Sequence, residues 1–507
     1  MKTKKIYQHS FIDKTNYKLI IKNYYYIYNK INKLDFTSRS MDILLFDWLY
    51  RSSKMISKVL DFYQLKKKKI LKYDIKKKNY YFLNSYDFFN SDLDKIYNFL
   101  LYRIEVNQSK KFDRVQYYKL STKKFSSIKQ LKKYAQTFFK FFYQSKKIKT
   151  LIYKPCVGVF SEIYLNIKIN KVPIIYYIKP LDIKSNVDFN LRNKLKNEIP
   201  KNLSKKQILM LQILVDITPI SYLENLNKNL EYINKSFPSS VNKVFCTDGL
   251  YTDDLFKTFL AFNYKKFKIY VAQHGMHNSL KKNYFEEKIS DYFLSYSKIK
   301  KHQKTIPLGI INKPELKKKI KNSKSKKILH IFPPLNDGFF FDENSISKLK
   351  NYLNKIDNKF YKNTLRFHST TQKDDISYFR NNFKNIDIMD YNKNIYKSLN
   401  EHSFACFHYL STGYIELIAK NFPVILILDK KDLKPVSIEG KKIINKMNDE
   451  KLVFYSYNEA AKNMPFLFTN INEIWLSKKT NKLKNEFKKI FGFYDKNYLN
   501  NLVKYLN

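Results

Sequence analysis

Apolar residues in the second half of the chain fall in short runs, each closed by a polar or turn-forming cluster. Residues 241–246 read as a strand, 252–262 as a helix capped by Thr252, and 267–272 as another strand. Further strand-like runs follow at 289–294 and 306–309. Strand, helix and strand in that order imply a parallel sheet with right-handed crossovers. A lysine-rich stretch with little apolar content, 312–326, reads as a linker. The alternation then resumes, with strands predicted at 327–332, 364–367, 386–389, 404–409 and 423–428. Helices are predicted between them at 345–356, 374–383, 394–399 and 414–420, and the tail, 436–507, reads as mostly helical.

The pattern predicts an α/β protein of two doubly wound, Rossmann-like domains with a helical N-terminal elaboration. The expected division is 1–311, the linker 312–326, and 327–507. The first half is less regular. Between 41 and 63, Leu44, Leu45, Trp48, Leu49, Met55, Ile56, Val59 and Leu60 keep helical spacing. Residues 1–35 alternate Lys and Asn with Tyr and Ile, as strands or a basic arm would. A lysine run at 66–78 reads as a solvated loop or helix face, and 80–150 as mainly helical and aromatic-rich. Residues 172–178 look like a strand with Pro173 near its start, and 207–215 like a helix end or a buried strand.

Composition adds a class and a question. The 507 residues, 44% hydrophobic, are enough for two or three domains with real cores. Net charge is +52, yet only seven of the 96 basic residues are Arg, and Gly numbers just 8. Abundant Lys, Asn, Ile, Tyr and Phe fit an AT-rich coding sequence. The basicity is then either drift on solvated surfaces or attraction to polyanions such as nucleic acid, anionic headgroups or phosphorylated substrates. Cys156, Cys246 and Cys406 are far apart and form no CxxC pair, which argues against a disulfide framework or a zinc site. No apolar run approaches a membrane span, and the basic N-terminus lacks the apolar core of a signal peptide. A cytoplasmic protein is expected, with any contact to the inner face of an anionic membrane peripheral.

Candidate chemistry sits at the ends of the predicted strands, where open α/β sheets bind ligands. Gln273-His274-Gly275 closes the run 267–272, and Glu286 precedes the next one. His274 is either a general base on an acceptor hydroxyl or a satisfied loop histidine. As metal ligands, His274 and His277 lack an evident third partner nearby. Ser411-Thr412-Gly413 joins a strand to a helix, and backbone N–H groups there suit phosphate. Glu416, one turn on, either bonds ribose hydroxyls or favours the helix dipole. Arg366 and His368 end another strand; Arg366 is a phosphate fork or an ordinary surface Arg. No P-loop, GxSxG, GxGxxG or well-placed Asp-x-Asp occurs.

Taken together, Phe237-Pro238, Lys243-Val244-Phe245, Asp253-Asp254-Leu255-Phe256-Lys257, Gln273-His274-Gly275, Glu286, Ile289-Ser290-Asp291 and Pro307-Leu308-Gly309 resemble a bacterial family of transferases. That family occurs in surface-carbohydrate (O-antigen or capsule) gene clusters. Ser411-Thr412-Gly413-Tyr414-Ile415-Glu416 and Asn421-Phe422-Pro423-Val424-Ile425 match as well. The likeness covers roughly 237–430, with weaker echoes near 45–63. It implies a GT-B-like glycosyltransferase, with the donor nucleotide on the C-terminal domain and the acceptor on the N-terminal one. The His-Gly pair is also similar to that of glycerophosphate-polymerising transferases of wall teichoic acid synthesis, where the His acts as base. The family often carries Gly-Gly after this His, whereas Gly275-Met276 stands here.

The resulting expectation is a metal-independent transferase without a cofactor. A nucleotide-activated sugar, or polyol-phosphate, would be the donor and a surface polysaccharide or glycolipid precursor the acceptor. His274, Asp248 and Glu286 would form the catalytic group, with Gln273 and Gly275 on the acceptor side. Arg366, His368, Ser411, Thr412 and Gly413 would hold the donor phosphates and Glu416 the ribose. The other reading is a non-catalytic basic protein that binds nucleic acid. Lys is spread over nearly all segments rather than gathered on one face, which favours the enzyme, so no nucleic-acid partner is expected.

Overall fold

The computed structural model describes residues 14–70, 79–89, 96, 99–105, 117–119, 148–173, 186–275, 285–300, 303–311, 326–333, 343–356, 361–368, 371, 373–383, 386–389, 395–434 and 436–507. A two-stranded parallel ribbon, β1 (Asn79–Tyr81) with β2 (Tyr117–Lys119), lies outside the two main sheets.

The first main sheet holds β3 (Thr150–Tyr153), β4 (Lys243–Cys246), β5 (Lys268–Ala272), β6 (Tyr292–Ser295) and β7 (Thr305–Pro307), side by side in chain order. Every neighbouring pair is parallel. The second sheet holds β8 (Lys327–Ile331), β9 (Lys362–Arg366), β10 (Ile386–Met389), β11 (Phe404–Phe407), β12 (Val424–Ile427) and β13 (Val453–Phe454). Its order is β10-β9-β8-β11-β12-β13, again all parallel. This is the Rossmann order, in which the chain reverses direction across the sheet between its first and fourth strands. Most strand residues in both sheets are buried, as expected for parallel strands covered on both faces.

The two-sheet α/β architecture expected from the alternation is the observed one. Several element readings change. Residues 14–32 form a helix (Lys14–Asn32), not strands. Tyr17, Ile20, Ile21, Tyr24, Ile27 and Tyr28 are buried at three- and four-residue intervals, a helical period that the Lys/Asn alternation masks. Residues 207–215 lie within the helix Lys205–Ile217, opened by a Ser204/Gln207 capping box. The cap of Asp254–Asn263 is Asp253, whose Oδ1 accepts from Phe256 N–H at 3.1 Å. Thr252 instead ends the short helix Gly249–Thr252 and donates back to Asp248 O. The expected strand at 289–294 is split between the helix Phe285–Ile289 and β6. The expected strand core at 174–178, the linker 312–325, and Met276 and His277 lie outside the described residues.

The tail returns to the first block. Its last helix, Tyr498–Leu506, lies against the helix Val159–Asn170, and Tyr164 Oη donates to Asn500 Oδ1 at 2.7 Å. Lys243 Nζ, on β4, donates to the terminal carbonyls of Leu506 and Asn507. One apolar cluster therefore runs from Phe245 and Tyr270 through Leu308 and Ile310 to Tyr414, Ile415 and Phe491, joining the two sheets. Gly309, at φ +87°, lets this happen. A Cβ there would stand 2.9 Å from the carbonyl oxygen of Phe493.

Candidate active site

Three adjacent strands of the first sheet each deliver a polar side chain to one edge. After β3 the chain turns through Lys154 (φ 43°) and Cys156 (φ 54°), two left-handed non-glycine residues. After β4, Thr247 Oγ1 donates to Pro155 O at 3.0 Å and Asp248 N–H to Lys154 O at 3.1 Å, tying the two turns together. Gly249 follows because a Cβ would meet the Phe256 and Tyr153 rings at 2.9 Å. Those rings stack 4.3 Å apart under the turn. After β5, Gln273 is fully buried. Its N–H donates to Leu294 O, its Oε1 accepts from Tyr296 N–H at 2.8 Å, and its Nε2 donates to Gly275 O. Gln273 is thus a bracket that fixes where the next residue stands.

That next residue is His274. Its side chain is 41% exposed, and Nε2 lies 3.9 Å from Asp248 Oδ1. At that separation Nε2 and Oδ1 are beyond direct hydrogen-bond reach. The Tyr251 ring stands 5.4 Å from the imidazole, tilted by 37°. Cys156, which spacing from the other two cysteines tied to no site, belongs to the same group. The donor atoms of Cys156, Asp248 and His274 all lie within 4.8 Å of one another. Sequence spacing offered His274 no third metal ligand, yet the parallel register supplies two from neighbouring strands.

Glu286 lies beneath, on the helix Phe285–Ile289, fully buried. Burial pushes its carboxyl up to about 8, and Tyr251 and the His274 backbone N–H only partly counter this. Neither carboxyl oxygen has a hydrogen bond of good geometry. At neutral pH the group is therefore mostly an uncharged acid, able to donate a hydrogen bond rather than carry charge.

A second buried carboxylate anchors the helical elaboration to this edge. Asp254 accepts from Ser85 N–H and Oγ, Ser221 Oγ and Tyr222 Oη, and pairs with Lys257 at 2.9 Å. Burial alone would raise this carboxyl. Lys257 and the three side-chain hydrogen bonds outweigh it and hold the group below the usual range.

In the second block the chain reverses between β8 and β11, and sheets of this order as a rule bind ligands outside the carboxyl ends of such strands. Ser411, after β11, is the N-cap of the helix Thr412–Ala419, and its Oγ accepts from Tyr414 N–H at 3.2 Å. Any anion there meets the backbone at Thr412 and Gly413 rather than the Ser411 hydroxyl. Glu416 is buried, and its Oε2 accepts from Tyr396 Oη at 2.5 Å. Arg366 ends β9, half-buried, with Nη1 at 3.3 Å from Met389 Sδ. His368 stands close by, its pKa lowered by burial and by Arg366.

Between these strands runs a network that sequence spacing does not announce. Asn363 Nδ2 donates to Ile356 O, so its Oδ1 accepts from His330 Nε2–H at 2.9 Å. His330 Nδ1 then accepts from His408 Nε2–H at 3.2 Å, and His408 Nδ1 from Tyr457 Oη at 3.4 Å. Burial lowers His330 to about 4 and His408 well below its usual value, so both rings are neutral. Phe332 stacks on His408 with ring centroids 4.1 Å apart.

The two edges approach each other. Tyr296, buried at the end of β6, has its hydroxyl pKa raised first by burial, then by Glu416 of the second block and Glu286 of the first. Phe493 N–H donates to Tyr296 O, and Ser297 Oγ to Lys489 O.

A family model of transferases matches residues 42–506. The chain belongs to the LIC12162 family of transferases. No curated protein matches it. Among solved structures, this transferase is similar to S. aureus MnaA in complex with UDP, at 11% identity and a TM-score of 0.39, covering 71% of this chain and 96% of that one. It is similar to TarM at 12% identity and 0.36, covering 56% of this chain and 58% of TarM. It is also similar to the wall teichoic acid polymerase TagF at 12% and 0.32, covering 55% and 84%. At these scores the overlaps carry no argument; the fold assignment rests on the transferase's own strand order.

Proposed function

We propose that this transferase is a GT-B-like glycosyltransferase. It moves a sugar, or a related polyol-phosphate unit, from a nucleotide-activated donor to a surface-glycan precursor, with no cofactor beyond the activated donor. The observation that carries the reading is an exposed imidazole beside a carboxylate, His274 and Asp248, on a sheet edge that approaches a Rossmann switch point. His274 takes the proton of the acceptor hydroxyl, and Asp248 stabilises the imidazolium that forms. The acceptor oxygen bonds to the transferred unit as the bond to the nucleotide phosphate breaks, and the nucleotide leaves with that electron pair. Arg366, His368 and the backbone at Thr412 and Gly413 stabilise the charge that develops on it. Buried Glu416 acts on the ribose side together with Tyr396.

The test is transfer from a panel of nucleotide sugars to glycan acceptors, with His274→Ala beside the wild type. The expected result is a loss of about 10² or more in turnover with donor binding near normal. Full activity in His274→Ala would remove the base.

A further inference from the structure

We propose that Cys156, Asp248 and His274 form a three-ligand site for a divalent transition metal, whose occupation takes up the imidazole that the transfer reaction needs. The regulatory half rests on His274 being the base; the metal site does not.

One thiol, one carboxylate and one imidazole converge from the carboxyl ends of β3, β4 and β5, with all three donor atoms within 4.8 Å of one another. In a tetrahedral zinc site, neighbouring donors stand roughly 3.5 Å apart, as bonds of about 2.0–2.3 Å require. The His274–Asp248 separation of 3.9 Å is within a few tenths of that, and neither separation from Cys156 exceeds 4.8 Å. The hydrogen bonds from Thr247 and Asp248 N–H fix the β3 turn against the β4 turn, and the Gln273 bracket fixes the β5 turn. The ligand backbone is therefore in place before any metal arrives. Cys156 and Asp248 are half-buried and His274 exposed, so the site is open to solvent and has room for a fourth, non-protein ligand. A thiolate and a carboxylate together neutralise a divalent ion. The mixed S, O, N set suits zinc or cobalt rather than magnesium or calcium, which prefer oxygen. Among the described residues the other group with this chemistry, His330, Cys406 and His408, is fully buried and its imidazoles already bond each other and Asn363.

Co²⁺ serves as the probe, because a thiolate ligand gives it a charge-transfer band in the near ultraviolet. Wild-type protein titrated with Co²⁺ should show that band at one ion per chain, and Zn²⁺ should abolish it. Cys156→Ala should lose the band, and Asp248→Asn should keep it with affinity lowered about 10-fold or more. In the transfer assay Zn²⁺ should inhibit the wild type, and Cys156→Ala should need at least about 10-fold more Zn²⁺ for the same inhibition. No band in the wild type, or an unchanged band in Cys156→Ala, overturns the metal site. Loss of turnover in His274→Ala would still uphold the base in that case. A band that behaves as expected, with undiminished turnover in His274→Ala, upholds the metal site and removes the base instead.

Discussion

At His274 the neighbours that matter are distant in sequence: Asp248 and Cys156 come from two other strands, and Tyr251 from the short helix after Asp248. Gln273-His274-Gly275 was legible as a polar stop after an apolar run. What it does there depends on a register that local pattern does not encode. Asp254 makes the same point for stability. Its motif, Asp253-Asp254-Leu255-Phe256-Lys257, stood out on resemblance, but its role as the hub for Ser85, Ser221, Tyr222 and Lys257 needs two remote segments, at 85 and at 221–222. Removing one partner of a buried pair leaves the other charge uncompensated. Asp254→Ala should thus cost about 3–5 kcal/mol in denaturant unfolding. A loss under 1 kcal/mol would mean the network is solvated in solution.

Among elements, the helix Thr412–Ala419 carries the clearest expectation. Thr412 is its first residue, where proline is tolerated because that N–H has no intrahelical partner. Ser411, at φ −121° and ψ 165°, already has the extended backbone that a following proline demands. Thr412→Pro should keep the fold while removing one N–H from the anion-binding end, so nucleotide affinity by calorimetry should fall with unfolding unchanged. Because backbone and Arg366 hold the phosphates in this reading, wild-type affinity should survive EDTA. Affinity abolished by EDTA, or unmoved by Thr412→Pro, would place the donor elsewhere. Helix positions here were readable from period and caps. One exception is instructive: of two capping residues in a row the sequence reading took Thr252, whereas Asp253 accepts from the Phe256 N–H and caps the helix.

For the whole molecule, buried ionisable groups set how stability responds to pH. His330 is lowered to about 4 from 6.5, and His408 is lowered as well. Below 6.5 the unfolded chain takes up protons that these folded rings refuse. The stability they confer is therefore complete above 6.5 and is lost as pH falls from there toward 4, by up to about 1.4 kcal/mol per pH unit for each ring. Glu286, raised from 4.5 to about 8, acts with the opposite sign: the folded state keeps a proton that the unfolded chain releases, so stability declines as pH rises toward 8. Two rings outweigh one carboxyl below 6.5, and between 6.5 and 8 the carboxyl's opposite effect remains. Denaturant midpoints should peak near pH 6.5, and Glu286→Gln should flatten the limb between 6.5 and 8. A wild-type profile that is flat from 4 to 8 would contradict both burials. The alternation of apolar runs was enough to announce two parallel α/β blocks, because covered parallel strands must be apolar along their whole length. Strand order, the meeting of the two sheet edges at Tyr296, and the joining of Cys156, Asp248 and His274 were decided by tertiary structure. Period and turn chemistry act over a few residues, whereas which strand lies beside which is settled by packing between segments up to hundreds of residues apart.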